Sequence, residues 1–123
     1  MNQTLLSTLI KNFFQHQMEI KMFHFQTKNY GAHKASDMYL SNFLSNMDKF
    51  LEAAQGISGQ TKLKNIEVKF NTLTDKTIIQ ALEQFINLLF KLDESLGLNK
   101  DLLAIRDEMM ADANQLKYLL IFE

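Results

Sequence analysis

Apolar residues recur at spacings of three, four and seven along most of this chain, a pattern typical of helices with one buried face. The pattern is interrupted at a short turn over residues 28–31, over a long stretch at 56–73 and at Gly97. These interruptions predict four helices, over residues 2–28, 32–55, 74–96 and 100–121.

Several residues at the predicted boundaries carry helix-ending or helix-starting signals. Asn2 or Thr4 can cap the first helix and Asn99 the fourth, because short polar side chains accept hydrogen bonds from free helical N–H groups. Gly56 is predicted to end the second helix. Residues 66–70 alternate in polarity and would pass for a short strand, but since no second strand signal lies nearby we interpret them as an extended crossover.

The connection lengths predict how the helices are arranged. A short link forces neighbouring helices to run antiparallel, whereas a link of about 17 residues can travel the length of a helix of roughly 30 Å. The order short, long, short predicts an all-α, four-helix up-down-down-up bundle of the ferritin-like type, with one long crossover between the second and third helices. We expect one domain over residues 1–123.

The composition narrows the classes of function. The chain has 123 residues, 46% of them apolar, and contains neither proline nor cysteine, so disulfides and thiolate metal sites are excluded. A net charge of −1 gives no general attraction to nucleic acid. There is no apolar run of membrane-spanning length and the N-terminus lacks the features of a signal peptide, so we expect a cytoplasmic protein without a membrane partner.

Four potential metal ligands share one face of the second predicted helix. At 100° per residue, Asp37 lies about 40°, Asp48 about 60° and Glu52 about 100° from His33. Nitrogen and oxygen ligands of this kind suit iron, manganese or zinc. One helix cannot bring all four to one ion, because the axial rise from Asp37 to Asp48 is about 16 Å. The face therefore holds two half-sites, or a second chain completes each site.

The register of the four residues favours completion by a second chain. The pair His33 and Glu52 and the pair Asp37 and Asp48 are both centred near residues 42–43. Two antiparallel copies of this helix would place His33 against Glu52 of the other chain and Asp37 against Asp48, which makes two identical sites per dimer. His24 lies close enough in sequence to add a second imidazole. A cation would also offset the cost of packing acids between two helices.

Each of these residues also has an interpretation that involves no metal. Asp48 and Glu52 can form a solvated face, His33 can lie exposed near a helix start, and His24 can be a core histidine among aromatic neighbours. His16 with Glu19 could bind metal, but we favour a solvated helix face for that pair. The fourth helix carries an acidic patch of Asp107, Glu108 and Asp112. We favour a surface in which these acids form salt bridges with Arg106 and Lys117.

His24, His33-x-x-x-Asp37 and Asp48-x-x-x-Glu52 together resemble the ferroxidase motif of the Dps mini-ferritins. The resemblance implies oxidation of Fe(II) by peroxide or oxygen, iron storage and protection from oxidative stress. It implies that His24, His33 and Asp37 come from one chain and Asp48 and Glu52 from its neighbour, with iron as the metal and zinc or manganese as substitutes. It also implies a homo-oligomer, a dimer at minimum and commonly a dodecameric shell.

Other features bear on partners and origin. Neither end of the chain has the Lys/Arg-rich tail that DNA-binding members of the Dps family use, so we do not expect DNA binding. Residues 105–108 and 118–120 are similar to uncharacterised ferritin-like proteins of large DNA viruses, which would place a short viral-type member in the host cytoplasm or the virion. The alternative function is a non-catalytic helical assembly or capsid-associated binding protein.

Overall fold

The computed structural model describes residues 1–122, and within that range it contains helices and loops but no strand. Lys91 separates α3 from α4, which together occupy the third predicted helix, so the all-helical, four-helix prediction is confirmed. None of the helices in residues 1–122 is both long and apolar enough to cross a membrane. The helices are α1 (Gln3–Gln26), α2 (Tyr30–Ser58), α3 (Ile78–Phe90), α4 (Leu92–Leu96) and α5 (Lys100–Leu119).

The ends of α2 differ from the prediction for local reasons. Asn29 caps its start, since the Asn29 side chain accepts a hydrogen bond of 2.9 Å from the Ala32 amide. The predicted end at Gly56 is wrong, because α2 continues through Gly56 to Ser58. It stops at Gly59, whose φ of +89° and ψ of +161° lie in a region that is essentially reserved for glycine.

The other boundaries fall close to their predicted places. Asn2 caps α1 by accepting a hydrogen bond of 2.7 Å from the Leu5 amide, so the Asn2 alternative is the correct one. Asn99 occupies the position before α5, but its side chain makes no capping hydrogen bond among the described residues. The third predicted helix starts later than expected, at Ile78, because residues 75–77 form a turn held by the Thr74 and Thr77 hydroxyl groups.

The stretch between α2 and α3 is the extended crossover that the sequence predicted. Residues 59–74 form neither helix nor strand, so the alternative of a short strand at residues 66–70 is wrong. The crossover is held against α1 by the Asn71 amide, which donates a hydrogen bond of 2.7 Å to Glu19 Oε2. It therefore covers the side of α1 that lies next to α3.

Contacts between helix ends show the direction of each helix. The side chain of Gln3 donates to the carbonyl of Ser58, so the start of α1 lies beside the end of α2. The hydroxyl of Thr27 donates to Asp75 Oδ1 at 2.7 Å, which joins the end of α1 to the turn before α3. The chain thus returns along the crossover to the end of the molecule at which α2 began.

The middle of the bundle is packed with aromatic rings. Phe13 of α1 is fully buried and makes edge-to-face contacts with Phe43 and Phe50 of α2 and with Phe85 of α3, at centroid distances of 5.6–6.1 Å. Such pairs add about 0.5–1.5 kcal/mol each beyond the burial of their area. This cluster fixes α1, α2 and α3 relative to one another.

A buried arginine joins the interrupted helix to α5. The guanidinium of Arg106, which is 5% exposed, donates to the carbonyl of Leu89 at 2.8 Å. It also donates to Asp93 Oδ1 at 2.5 Å and to Asp107 Oδ1 at 2.8 Å. Because the break between α3 and α4 frees carbonyl groups near its position, Arg106 satisfies one of them and fixes the angle of the break against α5.

Candidate metal centre between α1 and α2

Two of the three histidines meet where α1 ends and α2 begins. The imidazole rings of His24 and His33 stack with their centroids 3.9 Å apart and their planes 18° from parallel. His24 Nδ1 lies 2.8 Å from the carbonyl oxygen of His33, and His33 Nδ1 lies 2.8 Å from the carbonyl oxygen of His24. The Ser36 hydroxyl lies 3.1 Å from His24 Nδ1 and donates to the His33 carbonyl. The pair is thus held by reciprocal hydrogen bonds.

These hydrogen bonds set the tautomer of both rings. A carbonyl oxygen can only accept, so Nδ1 of each ring must carry the hydrogen. In the neutral form, Nε2 of each ring then holds a free lone pair, and neither Nε2 atom has a hydrogen-bond partner among residues 1–122. A histidine that donates from one nitrogen to a carbonyl and keeps the other free is the usual form of a metal ligand. The geometry thus offers two oriented nitrogen ligands.

The turn between the two helices produces this arrangement. The Asn29 side chain closes the first turn of α2, and the Thr27 hydroxyl accepts a hydrogen bond from the Asn29 amide. A Cβ added at Gly31 would lie 3.1 Å from the capping oxygen of Asn29, so a glycine keeps the cap free of crowding. The link of residues 27–29 is short enough to place His33 directly beside His24.

The three predicted carboxylates are exposed on α2. Asp37 lies one turn beyond His33, whereas Asp48 lies about three turns and Glu52 about four turns beyond Asp37 on the same helix. Among residues 1–122, no three or more His, Asp or Glu side chains are close enough together to hold a metal ion. The structure therefore brings His24 and His33 together and leaves Asp48 and Glu52 apart from them within one chain.

An apolar patch lies on the outer face formed by α1 and α2. Phe14 is 38% exposed, Met18 41% and Leu44 39%. By the helical step, Leu44 lies about 20° from His33 on α2, between the positions of Asp37 and Asp48. Phe14 and Met18 are exposed on α1, and because α1 runs antiparallel to α2 with His24 beside His33, they lie near the level of Leu44. The centre of the acid-bearing face is thus apolar and its two ends carry the carboxylates.

His16 is buried, so our favoured prediction of a solvated face for His16 and Glu19 is wrong. The His16 ring stacks on Phe85 with centroids 3.6 Å apart, and His16 Nε2 lies 2.6 Å from the Tyr39 hydroxyl. Burial lowers the pKa of His16 to about 3. The sequence did contain a signal for this burial. His16 follows Phe13 by three residues and precedes Ile20 by four, which places it on the apolar stripe of α1.

The acidic patch of α5 is partly as predicted. Arg106 pairs with Asp107, but Lys117 pairs across the helices with Glu83, at 3.4 Å. Asp112 is half-buried and accepts a hydrogen bond from the side chain of Asn46 on α2. Burial, together with the nearby charge of Glu108, raises the pKa of Asp112. These contacts tie α5 to its neighbours and indicate a structural role for the patch.

The fold is an all-helical bundle, and His24 and His33 are the potential metal ligands that it brings together within one chain. The chain belongs to a family of unknown function, DUF5856, whose sequence profile matches residues 24–120. The matched range begins at His24 and contains all five predicted ligands. No curated protein and no solved structure matches the chain.

Proposed function

We propose that the protein is a ferroxidase that oxidises and stores iron, with its metal site built from two chains. The observation that carries this proposal is the stacked pair of His24 and His33, in which both Nδ1 atoms are tied to backbone carbonyls and both Nε2 atoms are free. Two oriented imidazoles with a carboxylate one turn away on the exposed face form half of a site for a divalent cation with nitrogen and oxygen ligands.

The second half of the site would come from Asp48 and Glu52 of a neighbouring chain. Both are exposed, and they lie on the same face as Asp37 and His33. An antiparallel pair of α2 helices, related by a two-fold axis near residues 42–43, would bring them to the histidine pair twice per dimer. The patch of Phe14, Met18 and Leu44 supports this arrangement, because it would be buried at the centre of the same contact.

The directions of the helices support a ferritin-like bundle as the framework. The Gln3–Ser58 and Thr27–Asp75 contacts give an order of up, down and down for the first three helices, and the short link after α4 turns α5 upward again. This is the order of bundles with one long crossover, to which the ferritin-like proteins belong. A larger shell, such as a dodecamer, would assemble from the same dimers.

The iron is the substrate, and the protein residues position it. The imidazole nitrogens and carboxylates would hold Fe(II) beside an open position that admits the oxidant. Carboxylate ligands favour the more highly charged product, which lowers the barrier to the loss of an electron. When peroxide is the oxidant, two Fe(II) ions each lose one electron, and one peroxide with two protons gives two waters. Zinc or manganese would bind the same ligands, and zinc would act as an inhibitor because it has no redox chemistry.

The test is Fe(II) oxidation under air or peroxide, followed by absorbance, with wild type compared with Asp48→Ala/Glu52→Ala. We expect the double variant to lose most of the activity. A matched control is Glu94→Ala/Asp101→Ala, which removes the same charge from exposed positions on α4 and α5 and should oxidise iron as wild type does. Equal rates in wild type and in Asp48→Ala/Glu52→Ala would refute the proposal.

The second candidate is a non-catalytic helical assembly, and the apolar patch on α1 and α2 favours it as well. This candidate predicts a dimer that forms without metal, contains none after purification and is unaffected by His33→Ala. Solution mass together with metal content after aerobic loading with Fe(II) separates the two candidates. Iron retained by the dimer supports the ferroxidase, whereas an iron-free dimer supports the assembly protein.

A further inference from the structure

A second group of potential metal ligands lies between α1, α3 and the crossover, away from the histidine pair. A pocket of about 150 Å³ opens there. His16 is only 6% exposed and Glu19 only 8%, and both line the pocket. The side-chain amides of Asn12, Gln15 and Gln84 also line the pocket.

Among the residues that line this pocket, Glu19 alone carries a charge. The Glu19 carboxylate accepts hydrogen bonds only from neutral groups, the Asn71 amide at 2.7 Å and the Gln15 side chain at 3.4 Å, and both go to Oε2. Oε1 of Glu19 has no partner among the described residues, and no lysine or arginine lines the pocket. Because Glu19 is largely buried and no basic side chain lines the pocket, the pocket favours a positively charged occupant.

His16 is oriented to supply a nitrogen to that occupant. Its Nε2 lies 2.6 Å from the Tyr39 hydroxyl, and its ring is fixed against Phe85. When Nε2 donates its hydrogen to the hydroxyl oxygen, Nδ1 keeps a lone pair, and Nδ1 has no partner within residues 1–122. The Tyr39 hydroxyl can accept from Nε2 or donate to it, and the tautomer in which it accepts is the one that supports metal binding at Nδ1.

We propose that this pocket binds a divalent cation of the zinc and iron type, through His16 Nδ1 and Glu19 Oε1, with amide oxygens and water as the remaining ligands. Residues 16 and 19 lie three apart on α1, which places their side chains next to each other on one face. A water molecule takes up about 30 Å³ in the liquid, so the pocket has room for an ion with several waters. A nitrogen and oxygen ligand set suits zinc, iron and manganese over softer metals.

This site is independent of the ferroxidase proposal, and the two can fail separately. The chain has only three histidines, so long-range proton–nitrogen NMR can follow each ring during one Zn²⁺ titration of the full-length, chelator-treated protein. We expect Zn²⁺ to shift the His16 resonances chiefly at Nδ1. The His24 and His33 rings report on the other site in the same spectra, where Nε2 is the expected ligand.

Variants assign the response to the pocket. Glu19→Gln keeps the shape of the side chain and an oxygen for the Asn71 amide, and it should abolish the His16 shift while leaving the His24 and His33 response intact. Glu83→Gln, which removes the same charge from an exposed position on α3 outside the pocket, should respond as wild type does. A His16 ring that does not respond to Zn²⁺ in the wild type, or one that responds equally in Glu19→Gln, would overturn the proposal.

Tyr39 acts as a positioning residue in this account. Tyr39→Phe removes the acceptor for His16 Nε2, and we expect it to weaken zinc binding by about 10- to 100-fold. The nitrogen shifts of the metal-free protein give a second readout, because losing the hydrogen bond should change the tautomer of His16 before any metal is added. Unchanged metal-free shifts together with unchanged zinc affinity would contradict the role assigned to Tyr39. The wild-type titration decides the proposal even if a variant does not fold.

Discussion

Replacing Arg106 by methionine should destabilise the protein mainly through one backbone carbonyl. The guanidinium is buried, but its two carboxylate partners are not, since the side chains of Asp93 and Asp107 are 55% and 67% exposed. Ion pairs to exposed carboxylates contribute about 0–1 kcal/mol each. The hydrogen bond to the carbonyl of Leu89 is buried and has a charged donor, so it contributes about 1.5–3 kcal/mol. The expected loss for Arg106→Met is therefore about 1.5–5 kcal/mol, of which the carbonyl hydrogen bond supplies the larger part.

Urea unfolding of Arg106→Met and of the two partner variants tests this division. Asp93→Asn and Asp107→Asn should each change the free energy of unfolding by less than about 1 kcal/mol, because they leave the Leu89 hydrogen bond in place. A loss of less than about 1 kcal/mol in Arg106→Met would refute the reasoning. A partner variant as damaging as Arg106→Met would show that the ion pairs, and not the carbonyl, fix the break between α3 and α4.

Three further predictions follow from burial and backbone geometry. Phe13→Ala should lower the free energy of unfolding by about 3–5 kcal/mol, measured with urea, and Phe13→Leu should lower it much less. Gly56→Ala should raise the free energy of unfolding, measured by thermal unfolding, by about 0.5–1 kcal/mol, since an added Cβ meets nothing within 4 Å. Gly59→Ala should lower the free energy of unfolding by about 1–3 kcal/mol, because residue 59 has a positive φ that alanine does not readily adopt. Burial lowers the pKa of His16 from 6.5 to about 3 in the metal-free protein. At pH values between these two, His16 is neutral in the folded chain and protonated in the unfolded chain, so the folded chain binds fewer protons. Stability should therefore fall by about 2–3 kcal/mol as the pH is lowered from about 6.5 to about 4.5, and this slope should be flatter in His16→Gln; equal slopes would contradict the burial of a neutral His16.

Helical periodicity and connection length were enough to predict most of the fold. The four-helix arrangement and the crossover depend on the spacing of apolar residues along whole helices, so small local errors do not change them. The ends of α2 depend on single side chains instead. Gly56 and Gly59 look alike in the sequence, and only the backbone geometry distinguishes the glycine inside the helix from the one that ends it.

The candidate site was predicted less completely, for a physical reason. The spacing of His33, Asp37, Asp48 and Glu52 follows from the helical step, so their shared face was visible in the sequence. The stacking of His24 on His33 depends on the turn geometry at Asn29, which residue types alone do not fix. His16 was misplaced because histidine fits a solvated face equally well, and only its ring contacts show that it is buried.

The central claim is that each iron site combines ligands from two chains, and subunit mixing tests it directly. His33→Ala and Asp48→Ala/Glu52→Ala should each be inactive alone, because every site in either dimer lacks ligands from one of its two chains. After unfolding and refolding an equal mixture of the two, the mixed dimers should contain one intact site each, which restores about one quarter of the wild-type rate of Fe(II) oxidation. A mixture no more active than the separate variants, under conditions in which wild type oxidises iron, would contradict the account.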